Sequence, residues 1–299
     1  MNKLKKKIYR LYVKLYELFS SDPIALAKVK YKFKNGRPLN LDNPVEFMEK
    51  LQWLKFYHYT EAYGKYADKF EVRAIVEEAV GKKYLNELLG VYDKAEDINW
   101  DQLPNKFVLK CTHGSGYNLI VKDKSQLNLS SAQRKMNRYL RSDYYKLNGE
   151  ALYKNVKPRI IAEKFLDELA HDSILDYKFY CIHGKPVCIW LKTFHDGKYR
   201  SCYYDLNWER IEGDSNTSSY LAMDVPRPSN FDEMVEVVTA LCQGFIFIRV
   251  DLYSIKERIY FGELTFFPWG GKKRLSVERF NRELGDMMQL PNQKVEADG

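Results

Sequence analysis

Residues 245–271 read FIFIRVDLYSIKERIYFGELTFFPWGG: two strongly apolar runs joined by a charged turn, each with an acid where a core strand should carry none. The acids are Asp251, within FIRVDLY, and Glu263, within YFGELTFF. Short apolar runs rich in Ile, Phe, Val and Tyr read as strands, and two of them on either side of a turn pair antiparallel. That pairing brings both carboxylates to one place. Two buried acids need a cation, and hard oxygen ligands from a hairpin suit Mg²⁺, which keeps several waters and completes its shell with substrate phosphates. Arg249 stands two residues before Asp251 and so shares its face. Its guanidinium can clamp a phosphoryl group in transfer. The same spacing suits a purely structural Arg249–Asp251–Glu263 salt bridge, and spacing alone leaves both readings open.

Upstream, residues 105–123, NKFVLKCTHGSGYNLIVKD, alternate like a hairpin. A strand from Phe107 meets a glycine-rich turn, His113-Gly114-Ser115-Gly116, and a second strand starts at Asn118. Hairpins use glycine for positive φ, so an ordinary turn accounts for the motif as well as a phosphate cover does. Lys110 favours the cover: on a strand with apolar neighbours its ammonium calls for an anion. Backbone amides of Gly114, Ser115 and Gly116 can then face phosphates. Further on, RIIAEKFL (159–166) reads as a short buried strand opening into a linker, as though the chain crosses between lobes. Glu163 at its end is either an acceptor for an adenine amino group, with the backbone of Lys164, Phe165 and Leu166 on the ring edge, or a surface glutamate.

The remaining pattern is strand-rich after Asp176, with YKFYCIHGKPVCIWLKTF turning at His183-Gly184, another strand in YRSCYYDLNW, and a helix from Asp232 to Cys242. Before the glycine-rich hairpin the spacing predicts a helix start at Asn43-Pro44, a helix over Ala67–Val80 ended by Gly81, and a strand after Tyr84; a helix over Ser130–Arg141 follows the hairpin. Residues 1–20 repeat Leu4, Ile8, Leu11, Leu15 and Leu18 at helical spacing against Lys5, Lys6, Lys7, Arg10 and Lys14. This basic amphipathic helix either packs on its own protein or lies on an anionic membrane surface.

Composition narrows the class. Hydrophobic residues at 45% and charged residues at 29% are those of an ordinary globular chain, and 299 residues allow two or three lobes. Six of the positive charges behind the net +8 fall between Lys3 and Lys14, ahead of the first acid, Glu17. A nearly neutral body argues against nucleic acid as a partner. Five cysteines, odd in number and without a C-x-x-C pair, read as reduced thiols, most of them in apolar strands. No apolar stretch approaches the length of a membrane span and no apolar core follows the basic amino terminus, so a cytoplasmic location is expected.

The order Lys69, Lys110 with its glycine-rich loop, Glu163, Lys178, Arg249-x-Asp251 and Glu263 resembles the ATP-grasp superfamily. ADKFEVRAIVEEAVG (67–81) resembles the family's helix-starting Asp-Lys, with Lys69 as the lysine. Glu163 and Leu166 match its hinge Glu-x-x-Leu, and RVD with ELT resembles its metal-bearing Arg-x-Asp and Glu-x-Asn. Thr265 stands where the family has asparagine, which bears on whether one or two Mg²⁺ ions are held. LPNKFVLKCTHGSGYN, DYKFYCIHGKP and RVDLYSIKERIYFGELTFFPWGG resemble the TupA-like branch, found with teichuronopeptide, capsule and other surface-polysaccharide genes; the likeness spans roughly residues 35–285.

The resemblance implies an α/β (α+β) fold in which two α+β lobes hold ATP between them. It divides the chain into a helical extension (1–60), a helix-and-strand segment (61–104), a small lobe (105–165), a large lobe with the metal site (166–290) and a tail (291–299). It implies an ADP-forming carboxylate–amine ligase working through an acyl phosphate, with ATP and Mg²⁺ as cofactors. Asp251, Glu263 and Thr265 become metal ligands; Arg249, Lys110 and Lys178 act on the phosphates; Lys69, the 113–116 loop and residues 163–166 hold the nucleotide. The implied partners are a soluble or lipid-linked hexuronic acid and an amine; the membrane reading of residues 1–20, drawn from their own pattern, would add a peripheral contact on the inner membrane face. FFPWGGKKR supplies an acceptor loop, Trp269 as a sugar platform beside Gly270 and Gly271, with Lys272, Lys273 and Arg274 as anion binders; an exposed basic loop is the plainer alternative. Ribose contact stays open between Asp167, Glu168, His171 and none of these. A sugar kinase on the same ATP site and a glycosyltransferase are the rival enzymes, the latter without an Asp-x-Asp motif in this sequence. A non-catalytic glycan-binding module is the third rival.

Overall fold

Register sorts the strands of this computed structural model into two antiparallel sheets. The structure describes residues 9, 11–13, 16, 22–166, 175–195, 197–211, 219–275 and 277–292. Most of the basic helix expected over residues 1–20, and the ribose candidates Asp167, Glu168 and His171, lie outside the described residues. The small sheet has the order β1-β4-β2-β3, from β1 (Leu88–Tyr92), β2 (Phe107–Cys111), β3 (Asn118–Val121) and β4 (Ile160–Lys164). The large sheet runs β10-β9-β5-β6-β7-β8, from β5 (Asp176–Ile182), β6 (Lys185–His195), β7 (Lys198–Tyr204), β8 (Arg210–Ile211), β9 (Phe247–Ile255) and β10 (Arg258–Thr265). The helices are α1 (Pro23–Asn35), α2 (Phe47–Tyr57), α3 (Gly64–Ala67), α4 (Glu71–Val80), α5 (Leu129–Leu140), α6 (Tyr144–Asn148), α7 (Phe231–Leu241) and α8 (Glu278–Met287). None of the described helices is long and apolar enough to cross a membrane.

Two-residue turns set the large sheet. His183 and Gly184 have φ of 48° and 72°, and Lys256 and Glu257 have φ of 48° and 64°, the doubly left-handed geometry that matches strand twist. The strained Lys256-Glu257 turn is pinned by Asn230 donating to the Glu257 carbonyl (2.8 Å) and Ser229 Oγ bonded to the Glu257 carboxylate (2.8 Å).

Each sheet has its own core. In the small lobe Phe107, Leu109, Ile160 and Ala162 bury against Met136 of α5. In the large lobe Phe179, Val250 and Leu252 belong to the face under α7, where the Phe179 and Phe231 rings stack 6.0 Å apart. The opposite face is half covered by the amino-terminal helices: Phe47 of α2 meets Phe247 and Tyr180 at 5.0 and 5.8 Å, and Tyr59 Oη donates to the Phe247 carbonyl (3.0 Å). What α2 leaves uncovered becomes the cleft floor. The extension is therefore part of the large lobe's core. The segment expected at 61–104 divides in the same way: residues up to Leu85 join the large core, and those from Leu88 build the small sheet.

Two helix boundaries differ from the spacing-based expectation. The helix expected after Asn43-Pro44 opens at Phe47, because the Glu49 carboxylate accepts from the amides of Val45 and Glu46 (3.1 Å each) and so fixes the first turn. The helix expected over Ala67–Val80 breaks at Asp68, whose backbone is extended and whose carboxylate accepts from the amides of Phe70 (2.7 Å) and Glu71 (3.3 Å). A capping carboxylate wins over helix continuation there, and Lys69 sits in the break.

α8 closes the domain on α2. A Cβ on Gly285 would lie 2.3 Å from the Val45 carbonyl oxygen and 3.0 Å from the Phe47 amide, so backbone meets backbone. Alanine normally favours a helix interior over glycine by about 1 kcal/mol. Here Gly285→Ala is expected to destabilise by roughly 1–3 kcal/mol through overpacking, read as a lower denaturant midpoint. An unchanged or raised midpoint contradicts the close approach.

Candidate active site

The site begins with a bulge. β10 pairs with β9 so that Thr265 faces Arg249 and Glu263 faces Asp251, and the register then slips at Gly262 before Phe261 meets Leu252. A Cβ at Gly262 would stand 2.9 Å from the Asp251 carbonyl oxygen and 3.1 Å from the Tyr253 ring, so only glycine fits the slip. On the other side of β9, Lys178 of β5 lies opposite Asp251. One sheet face thus collects Lys178, Arg249, Asp251, Glu263 and Thr265.

Their charges interlock. Asp251 is 1% exposed and fully engaged: Arg249 Nε and Nη2 donate to its two oxygens at 2.6 and 2.7 Å, and Lys178 Nζ donates to Oδ2. Lys178 also pairs with Asp176 at 2.7 Å. Arg249 Nη2 reaches Glu263 (3.1 Å) and Thr265 Oγ1 (3.0 Å), and the Thr265 hydroxyl donates to Glu263 at 2.9 Å. Burial pushes the Glu263 carboxyl up, but Arg249, Lys178 and Lys69 outweigh it and bring it down to about 2. Burial and the Asp251 charge push Asp176 up to about 6. The structural salt bridge that spacing allowed is therefore present, and it joins the same residues as the expected metal site. Among the described residues no cluster of three or more His, Cys, Asp or Glu side chains forms a metal cage. Two opposed carboxylates and a hydroxyl at a cleft wall are the donor set of an ion whose remaining ligands are water and phosphate, and in that sense the residues fit Mg²⁺. The Glu263 side chain, 42% exposed, is the more open of the two carboxylates toward the cleft.

The small lobe supplies the roof. Lys110 on β2 donates to Glu163 Oε2 at 2.6 Å, and Arg73 of α4 donates to Oε1 at 2.9 Å. Glu163 is buried and shared by the two cations, so it is not the surface glutamate that spacing allows, and it lines the cleft beside Lys110. Lys164 is similarly occupied: its amide donates to the Glu87 carbonyl (3.0 Å) and its carbonyl accepts from Asn86 (2.8 Å). Phe165 and Leu166 keep their place on the cleft wall. In the glycine-rich loop, Gly116 has φ of 80°, and Gly114 is packed so that a Cβ would meet the Tyr117 and Tyr144 rings at 2.7 and 2.8 Å. The Gly114 carbonyl accepts from Lys69, whose amine is pushed down by burial. Ser115 lines the cleft, whereas His113 is buried, with Nε2 3.2 Å from the Ser142 carbonyl, and anchors the loop.

Between roof and floor lies a cleft of about 650 Å³, within the usual range for small-molecule sites. Val108, Ile161, Phe165 and Leu264 give it an apolar wall suited to a base, and Lys69, Lys110, Lys178 and Arg249 line it as cations suited to phosphates. The acceptor loop is only partly where the sequence puts it. Trp269, 37% exposed, and Gly270 line the cleft. Gly271 instead packs on Gln52, Lys272 donates to Asn148 Oδ1 (3.0 Å), and Arg274 forms a two-pronged pair with Glu46 (2.6 and 2.8 Å) that ties the loop to α2. Arg274 is thus a clamp within the protein, not an anion binder; its partner lies 228 residues away and leaves no local trace.

Sequence reasoning passes over Arg73 and Glu150. Arg73 had one signal, its place four residues after Lys69. Glu150 had none. It is buried at the cleft wall, where burial pushes its carboxyl up to about 7 against the pull of Lys55 and Lys272, and burial pushes the Lys55 amine down.

A nucleotide-sized cleft between two antiparallel sheets, with a lysine-bearing roof and an Arg-Asp-Glu floor, defines the ATP-grasp class. The sequence matches the family described as TupA-like ATPgrasp over residues 49–289, and the chain belongs to that family. Membership brings the mixed fold, ATP, and the ADP-forming ligase class. Among curated proteins none matches the sequence. Of solved structures, D-alanine–D-alanine ligase from Bacillus anthracis is similar at 16% identity, with 81% of this chain and 73% of that one covered and a TM-score of 0.47. The ATP-grasp ligase PsnB with its minimal precursor is similar at 12% identity (76% and 60% covered, TM-score 0.42). D-cycloserine synthetase DcsG is similar at 13% (75% and 69%, TM-score 0.42). Likeness at this level says nothing about substrate.

Glu163 offers a direct check of the roof. Glu163→Ala leaves Arg73 and Lys110 without their shared carboxylate, and the expected loss of stability is about 2–3 kcal/mol, below the figure for a fully buried pair because Lys110 reaches the cleft. Denaturation of the alanine variant at the wild-type midpoint contradicts the bridging role.

Proposed function

We propose that the protein joins a carboxylate to an amine by way of an acyl phosphate, and that the carboxylate belongs to a hexuronic acid of a surface polysaccharide or its precursor. The observation that carries the reading is the single sheet face on which Lys178, Arg249, Asp251 and Glu263 meet at the floor of a cleft roofed by Lys110. Phosphoryl transfer asks a protein chiefly for position and charge, and these are the groups that supply both.

ATP enters as a substrate, its base against Val108, Ile161 and Phe165 and its phosphates toward Lys69, Lys110, Lys178 and Arg249. Glu263, Thr265 and Asp251 would hold Mg²⁺, which neutralises phosphate charge when bound. In the absence of an anion, Lys178 and Arg249 satisfy Asp251. A phosphate competes for both cations, and the Asp251 oxygens are released as they turn to it. Arg249 then faces charge on the moving phosphoryl group, and Lys110, steadied by Glu163, neutralises it from above. The substrate carboxylate oxygen attacks the terminal phosphorus and ADP leaves; an amine attacks the acyl carbon and phosphate leaves, giving an amide. The 113–116 loop, tied by Lys69 at Gly114, covers the cleft and keeps water from the mixed anhydride. Trp269 beside Lys273 favours a sugar acid over a plain one, the ammonium lying 6.0 Å from the indole.

The reading is tested with Mg-ATP, a panel of hexuronic acids free and as UDP-sugars, and hydroxylamine as trapping amine. Phosphate release with a hydroxamate on one acid is expected, and Asp251→Asn and Glu263→Gln should each lower turnover by about a hundredfold or more. A sugar phosphate without hydroxamate points to a kinase, and undiminished turnover in both variants removes the floor from the mechanism.

A further inference from the structure

We infer that the large sheet carries an outer subsite for an anionic group linked to the reacting sugar, held over Trp190, Lys192 and Tyr199. That group is either the neighbouring uronate of a glycan chain or the diphosphate of a nucleotide sugar. The inference deepens the ligase reading and rests on it for the identity of the reacting acid.

The sheet face of the phosphate site does not end at β5. Lys178 faces Trp190 of β6, which faces Tyr203 of β7, and Asp176 faces Lys192, which faces Ser201. Trp190 and Lys192 therefore stand on the face of Lys178, one strand further out. Over them lies a recess of about 160 Å³ that shares Trp269 with the main cleft as a common wall. The Arg249 guanidinium is 6.0 Å from the Trp190 ring, and the Trp190 and Trp269 rings are 4.9 Å apart. An aromatic path thus leads from the phosphoryl site into the recess.

The recess is cationic as well as aromatic. Lys192 Nζ lies 4.2 Å from the centre of the Tyr199 ring, and Lys273 Nζ 6.0 Å from that of Trp269. Among the described residues neither lysine forms an ion pair with a carboxylate. Burial and the neighbouring Lys178 push the Lys192 amine down against the pull of Asp176, the residue opposite it on β5. Ring faces that accept the C–H side of a pyranose, next to amines that form no ion pair of their own among the described residues, are the chemistry of an acidic sugar site.

Backbone strain points to the same place. Trp269, Gly270 and Gly271 have φ of 52°, 63° and 65°, and a left-handed tryptophan persists only where its surroundings hold it. Gln52 donates to the Gly270 carbonyl at 3.0 Å and has no room for a side chain at Gly271. The indole is thereby fixed at the boundary of the two cavities. A hexuronate whose carboxylate meets Arg249 can extend along the sheet past Trp190 and Trp269 into this recess.

The test is titration of the full chain, followed by tryptophan fluorescence, with glucuronate, digalacturonate, UDP-glucuronate and the neutral disaccharide cellobiose. At least one of the two linked anionic ligands is expected to bind about tenfold or more tighter than glucuronate, and which of them does so identifies the linked group. Lys192→Gln should abolish the advantage, Lys192→Arg should keep it, and Mg-ATP affinity should be the same in both. Equal binding of the linked ligands by wild type and Lys192→Gln overturns the subsite and leaves the ligase reading standing. Binding of Mg-ATP with none of the acidic sugars removes hexuronic acid from that reading, and the subsite with it.

Discussion

The burial of one carboxylate organises this molecule. Asp251 sits on a central strand at 1% exposure, where an unpaired charge would cost several kcal/mol, and the surrounding strands are arranged to answer it. Arg249 meets it from its own strand, Lys178 from β5, and Glu263 is brought opposite by a bulge that requires glycine at 262. The network is stable without a ligand and poised for one, because each cation that pairs with Asp251 also lines the cleft. A site built this way binds an anion by exchanging partners, with no need to uncover a bare charge.

The cleft exists because the two faces of the large sheet are treated differently. α7 covers one face, while α2 covers only the end of the other that holds Tyr180 and Phe247. The small sheet roofs what remains and contributes Lys110 from above, oriented by Glu163 and Arg73. The cations that line the cleft thus come from both lobes. The loop at Trp269 is held by the amino-terminal part of the large lobe, Gln52 donating to the Gly270 carbonyl and Glu46 accepting from Arg274.

Much of this was legible in the sequence where the signal is local. Strand alternation, the charged turn between two apolar runs, and the anomaly of acids within them pointed to the hairpin that carries Asp251 and Glu263. The order of motifs gave the family. What escaped depends on partners far along the chain. Arg274 reads as a free cation until Glu46 is found beside it, Glu163 allows a surface reading until Arg73 and Lys110 close on it, and Glu150 matters only because folding buries it near Lys55 and Lys272. The break at Asp68 is a different kind of miss: helical spacing continues through it, but a capping carboxylate outcompetes the helix.

The central claim is that the substrate's own carboxylate takes the terminal phosphate of ATP. It is tested most directly by supplying the accepted hexuronic acid with ¹⁸O in its carboxyl group and analysing the released phosphate by mass spectrometry. The account predicts one ¹⁸O atom in each phosphate formed per amide. Unlabelled phosphate formed alongside the amide would contradict it.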